Sequence, residues 1–217
     1  MTWLSWAASY EGPSDRRYFE LLIPRLMEDL VCSRGTMRRV DIPTQAVVLL
    51  KRGVAAAMAR QACAEREALA LVFIHADAGG RGQGPGNAVR AAECCEAMSQ
   101  LCAWPPARCI PVVPTREMES WVIADPSAVA SVLGFRGELT RLGLPASPAE
   151  AERVADPKAA LREAVRVARG DGRRVDIGEL LTGIAQRQDL ERLRQMDSFA
   201  RFGKDLFHAL VSLHCCD

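Results

Sequence analysis

Four carboxylates are placed where a chain of alternating strands and helices would gather acids at one edge. They are Glu11 before Gly12-Pro13, Asp77 ahead of a glycine-rich run, and Glu117 and Glu119 ahead of Ser120-Trp121. Crowded, unpaired carboxylates repel one another and tend to hold protons unless a hard divalent cation neutralises them. Mg²⁺ or Mn²⁺ is the natural occupant of such a cluster. Glu11 is the most telling of the four, because the Gly-Pro that follows leaves it no evident partner. Asp77 has a plainer use as a cap on the glycine-rich loop, and Asp15 as an N-cap or first-turn helix acid. Glu117 and Glu119 lie two apart and cannot share a helix face, so one of them is expected to turn toward the helix dipole. His75 reads as a core or supporting histidine beside the cluster.

Two other stretches invite chemistry. Gly79 to Gly86 holds five glycines in eight residues but lacks the Gly-Lys-Ser/Thr ending of a nucleotide phosphate loop. It reads instead as a flexible, substrate-contacting loop carrying Arg81. The eight cysteines (32, 63, 94, 95, 102, 109, 215 and 216) include two adjacent pairs and no CxxC, poor spacing for disulfides or structural zinc. Free thiols are the expectation. The terminal His214-Cys215-Cys216-Asp217 has metal-binding residue types, but a chain end is usually mobile and adjacent side chains rarely converge on one ion.

The elements that must position these groups follow from apolar patterning. Thr2 to Tyr10 reads as a first strand closed by Glu11-Gly12-Pro13, and Tyr18, Leu21, Leu22, Leu26 and Leu30 mark a helix over about 14–31, with Pro24 its one irregularity. Met37 to Ile42 is a short extended stretch, and Val47 to about Glu67 is helical in composition. Ala68 to Ile74 is a continuous apolar run, the pattern of a strand buried on both faces in a parallel sheet. A helix from Asn87 to about Cys102, a short strand over Cys109 to Val113 and a helix from Pro114 to near Asp125 complete the alternation. This order predicts an α/β fold with a parallel sheet flanked by helices over 1–134. Beyond Gly134 the strands disappear, and helices over 158–170, 178–195 and 198–214 predict a mostly helical extension, 135–217, packed on the sheet.

Composition narrows the class. With 49% hydrophobic and 25% charged residues, 217 residues can bury one sizeable core. The 28 basic and 27 acidic residues leave a formal charge of +1, so no global field draws the chain to nucleic acid or membrane. No apolar run approaches the ~18 residues of a membrane span, and the N-terminus lacks the pattern of a secretory signal, so a cytoplasmic protein with no membrane partner is expected.

In order along the chain, Glu11-Gly12-Pro13-Ser14-Asp15 after a first strand and His75-Ala76-Asp77 after the third resemble the Toprim fold, which topoisomerases, primases and the overcoming-lysogenisation-defect nucleases share. Glu117-Met118-Glu119-Ser120-Trp121-Val122-Ile123-Ala124-Asp125, then Asp156-Pro157-Lys158 and the segment from Ser198-Phe199 to Leu210, resemble more closely a family of small bacterial Toprim-like proteins of unassigned function. Members of that family are often encoded beside an ATPase in phage-defence loci. The resemblance implies a Toprim-like sheet and a nuclease acting on DNA or RNA in antiviral defence. It gives Glu11 the role of the strand-one glutamate and Asp77 that of the second aspartate of the Asp-x-Asp metal pair. His75 stands in place of the first aspartate. That removes a hard oxygen, and imidazole is a poorer ligand for Mg²⁺ though acceptable to Mn²⁺ or Zn²⁺. Glu117 or Glu119 would then supply the missing oxygen. Lys158, Arg81 and Arg116 are the candidates to hold phosphate or stabilise developing charge, although Asp156-Pro157-Lys158 equally reads as the opening of a helix. The alternative is a non-catalytic subunit that keeps the fold to dock on an ATPase, as the near-neutral charge would suit. Homo-oligomerisation is compatible with either.

Overall fold

The computed structural model describes residues 2–35, 39–77, 86–170 and 175–217, with only the backbone course for 86–88. Arg81 and most of the glycine-rich run lie outside the described residues.

Among the described residues, six short strands are all parallel. β2 (Trp6–Ser9), β4 (Val48–Leu49), β5 (Leu71–His75) and β6 (Cys109–Val112) form one sheet in the order β4-β2-β5-β6, while β1 (Thr2–Trp3) pairs separately with β3 (Val40–Asp41). In register, Trp6 faces Leu71 and Ser9 faces Ile74, and Val72 faces Cys109 and His75 faces Val112. The chain leaves β2 for β4 on one side and returns to β5 on the other. The carboxyl ends of β2 and β5 therefore flank a topological switch point, where open α/β sheets bind ligands.

Alternation along the central strands explains the layers. Trp6, Ala8, Leu71 and Phe73 point into one core with α1 (Pro13–Arg34), whereas Ala7, Val72 and Ile74 point into a second core under α2 (Ala55–Ala64) and α3 (Gly86–Cys102). With both faces covered, every residue of β2 and β5 is buried, as continuous apolar parallel strands require. The larger core continues through α4 (Glu119–Val122), α5 (Pro126–Leu133), α6 (Pro148–Ala151), α7 (Pro157–Arg169), α8 (Ile177–Arg187), α9 (Leu190–Leu193) and α10 (Asp197–Ser212). Trp121 lies at its centre, ringed by Phe19, Phe199 and Phe202, and its indole N–H donates to Ser198 Oγ at 2.8 Å. The strands expected as buried and the α/β class are present.

Several expectations are corrected. The first strand is broken at Leu4-Ser5, so its start pairs with β3 and its end with β4 and β5. Val48–Leu49 is a strand; the helix expected from Val47 begins only at Ala55, because Val47, Val48, Leu49 and Leu50 suit an extended edge better than a helix. The helix expected from Pro114 shrinks to Glu119–Val122 and restarts at Pro126, where Asp125 caps it by accepting from the N–H groups of Ser127 and Ala128. Likewise, 178–195 divides at Gln188, whose backbone is extended and whose side chain bonds Tyr18 and the Trp121 and Val122 carbonyls.

Free thiols are also corrected. Cys63 is bonded to Cys102 and Cys95 to Cys109, with Cα atoms 5.9 and 5.5 Å apart, while Cys32, Cys94 and Cys216 are free thiols. The pairs join α2 to α3 and α3 to β6, contacts set by packing rather than by sequence spacing. Nor is the C-terminal tail loose: Cys215 and Cys216 are buried, Gly35 bridges Cys216, and the N–H of Asp217 donates to the Arg34 carbonyl. Among the described residues no helix is long and apolar enough to cross a membrane.

Candidate functional site

Two residues after β2, Glu11 turns out of the sheet just before α1, with Gly12 as N-cap and Pro13 in the first turn, where a missing N–H costs nothing. Asp15 lies in that same first turn and receives the Gly12 N–H. β5 ends in His75, 4% exposed and packed against the Phe19 ring of α1 with centroids 4.5 Å apart. Asp77 follows by two residues, and the Met118 N–H donates to its Oδ1 at 3.1 Å, fastening the segment after β6 to the end of β5. Glu119 opens α4 and is buried. Its carboxylate reaches Lys158 Nζ at 3.5 Å, from the first turn of α7. The Asp156 carboxylate caps that helix, so the helix-opening role of Asp156-Pro157 and a place for Lys158 at the acidic edge are both realised.

Glu11, Asp15, Asp77, Glu117 and Glu119 thus come to one edge. Burial first, and then the fields of Asp15, Glu11, Glu119 and Glu117, push the Asp77 carboxyl up to about 8. Asp15 is raised by burial, against the opposing pull of the Gly12 N–H, Lys158 and Arg52. Burial and Glu119 raise Glu117, while Lys158 is raised chiefly by Glu119.

The centre of the edge is His75. Its Nδ1 lies 2.9 Å from the Val112 carbonyl, which can only accept, so Nδ1 carries the proton. Burial pushes the imidazole down to about 4. The ring is therefore neutral at pH 7, with an unprotonated Nε2. That nitrogen sits 3.6 Å from Asp77 Oδ1 and 3.9 Å from Asp15 Oδ2 and has no hydrogen-bond partner among the described residues. Glu11 Oε1 is likewise buried without a hydrogen-bond partner among the described residues. A carboxyl raised to about 8 keeps its proton at pH 7, so the metal-free edge has the Asp77 proton facing this lone pair, and a cation would take that proton's place between the two groups.

The donor chemistry suits a divalent metal: hard carboxylate oxygens with one borderline nitrogen, the mix tolerated by Mn²⁺ and Zn²⁺ more than by Mg²⁺. As the side chains stand, no three His, Cys, Asp or Glu residues among those described are gathered closely enough to hold an ion. A metal would have to draw the carboxylates inward.

Arg116 lies beside the cluster in sequence, with its Nε buried and without a hydrogen-bond partner among the described residues. Arg52, within the stretch from Val47 that reads as helical in the sequence, is a further neighbour of the site. It follows β4, and its guanidinium donates to the Glu11 carbonyl at 3.1 Å. The signal that would have found it is the run Val47 to Leu50, whose extended form carries Arg52 to the strand edge.

Comparison of the chain with protein-family models, with curated proteins and with solved structures found no match.

Proposed function

We propose that the chain is a Toprim-like, divalent-metal-dependent nuclease that hydrolyses phosphodiesters in DNA or RNA, with the acidic edge at the switch point as its site. The observation that carries the reading is the gathering of ligand-type atoms around His75 Nε2: the Asp77 and Asp15 carboxyl groups face it, and Glu11 Oε1 stands buried at the same edge without a hydrogen-bond partner among the described residues. Glu11, Asp77 and one of Glu117 or Glu119 would hold Mg²⁺ or Mn²⁺, with His75 at the centre and Asp15 behind it. A metal so held supplies polarisation of the phosphate and a lowered pKa for an attacking water. The chain's own groups do the rest. Lys158, held toward the edge by Glu119, offers positive charge to a phosphate oxygen, and Arg116, next to Glu117 in sequence, is the further candidate for that task. The short ordering of Val112, His75 and Phe19 keeps the imidazole from turning away and fixes its tautomer. A role as the effector of an anti-phage system, with an ATPase encoded nearby, rests on the resemblance of the motifs.

A second reading, a non-catalytic subunit docking on an ATPase, is favoured by one observation: no three ligand-type side chains among those described are already grouped for an ion. Titration calorimetry with Mn²⁺ and Mg²⁺ on wild type, Asp77→Asn and Glu11→Gln, followed by plasmid and tRNA cleavage, separates the two. Binding and cleavage that both variants lose support the nuclease. Wild-type protein that binds neither ion and cuts neither substrate leaves the docking subunit.

A further inference from the structure

At the opposite end of the sheet, where β5 and β6 begin, Arg66, Glu67, Leu69, Trp104, Pro105 and Arg108 line a cavity of about 270 Å³. Its polar groups are mostly donors. Trp104 is 3% exposed, and among the described residues its indole N–H has no acceptor and the buried Arg108 Nε no hydrogen-bond partner. Among the described residues neither Arg66 nor Arg108 is ion-paired, and Arg66 donates to the Cys102 carbonyl. Glu67 is the only carboxylate in the lining, and it is exposed. Buried donors left unpaired are costly, and their concentration in one place calls for an explanation.

The loop that carries Trp104 and Arg108 is fixed at both ends. Cys102 before it is bonded to Cys63, and Cys109 after it to Cys95. Ala103 adopts a left-handed backbone, with φ of 50°, a conformation that a non-glycine residue keeps only where its surroundings impose it. The Arg108 N–H closes the loop on the Pro105 carbonyl at 2.9 Å. The backbone that carries Trp104 and Arg108 is therefore held before any ligand arrives, which lowers the ordering cost of binding, while Arg66, on the facing segment, is exposed.

We propose that this cavity binds a phosphate group, either free inorganic phosphate or the terminal phosphate of a nucleic-acid chain. Two guanidinium groups match a tetrahedral oxyanion with paired N–H donors, and the indole N–H adds a third direction. The site is separate from the acidic edge, at the other end of β5, and does not depend on metal there.

The test uses the full chain labelled with ¹⁵N, titrated with sodium phosphate at constant ionic strength while the indole N–H resonances are followed; Trp104→Phe assigns the Trp104 signal. The expected result is a saturable movement of that signal, with affinity at least about tenfold weaker in Arg108→Gln and in Arg66→Gln, tighter in Glu67→Gln, and unchanged in Asp77→Asn. A 5′-phosphorylated tetranucleotide that binds more tightly than inorganic phosphate, while its unphosphorylated form does not bind, identifies a chain end as the source. Equal affinity for the phosphorylated tetranucleotide and inorganic phosphate identifies the free anion. A Trp104 resonance that stays still at tens of millimolar phosphate overturns the proposal, as does wild-type affinity in both arginine variants. Should an arginine variant fail to fold, the wild-type titration and Glu67→Gln still decide.

Discussion

Asp77 has its charge suppressed by burial and by four other carboxylates, and this makes the metal-free protein sensitive to pH. A carboxyl raised on folding contributes stability that is complete below its unfolded value, 3.8, and lost as pH rises through its folded value, about 8. His75 acts in the opposite sense. Lowered on folding from 6.5 to about 4, it contributes stability that is complete above 6.5 and lost as pH falls through 4. Asp77→Asn keeps the shape and removes the first effect, so the metal-free variant should exceed wild type at pH 8.5 by at least about 1 kcal/mol in urea unfolding, with the difference closing toward pH 3.5. The same substitution removes a proposed ligand, so stabilisation of the apoprotein and loss of Mn²⁺ binding should appear together. His75→Asp would restore a hard oxygen at the centre of the edge. On the proposed reading it lowers the preference for Mn²⁺ over Mg²⁺ in calorimetry, and an unchanged ratio removes His75 from the site.

Among the elements, the segment around Glu152 ties the short helices to the long one. Its carboxylate accepts from the N–H groups of Asp197 and Ser198, from Ser198 Oγ and from Thr115 Oγ1, covering the start of α10 beneath Trp121. Burial alone would raise this carboxyl, but the Ser198, Thr115 and Asp197 bonds outweigh it and leave it lowered. Its contribution is therefore present at neutral pH and is lost as pH falls through the folded pKa. Glu152→Ala should destabilise by about 2 kcal/mol near pH 7, with a smaller difference at pH 3, as thermal melts at the two pH values would show. Gly35 is a second joint. A Cβ there would stand 2.0 Å from the Val31 carbonyl oxygen, so Gly35→Ala must shift the end of α1 and its bridge to Cys216, at a cost of about 1–3 kcal/mol. Faster labelling of Cys216 by a thiol reagent would report that shift.

Across the whole molecule, the larger core runs from Leu4 to Cys216, through the sheet and the helices beyond Gly134 alike. A fragment of residues 1–134 would leave one face of the sheet and the inner face of α1 without α8 and α10. It should show no cooperative unfolding transition, whereas the full chain should show one. This also accounts for what could be read from the sequence. β5, α3, α7 and α10 were visible because their apolar patterns are long and regular. The breaks at Leu4-Ser5, Val122-Asp125 and Gln188 were not, because they are set by partners more than 60 residues away, such as Asp125 accepting from the Asp189 N–H. At the candidate site, strand ends located Glu11, His75 and Asp77, and helix starts located Glu117, Glu119 and Lys158. Arg52 was missed because a two-residue strand has no period to detect. The disulfides were missed because Cys63, Cys95, Cys102 and Cys109 meet only after α2, α3 and β6 have packed.

The bridge from Gly35 to Cys216 also has a consequence during synthesis. At ribosomal rates of roughly 5–20 residues per second, Gly35 emerges on the order of 10–40 s before Cys216 can reach it. For that interval Leu22, Leu26 and Leu30 of α1 await the helices that will cover them, while β4, β5 and β6 are added one after another. Slowing translation over the codons for residues 177–212, which encode α8 to α10, should therefore lengthen the time in which a chaperone that binds apolar segments can capture the nascent chain, while slowing it before residue 35 should not.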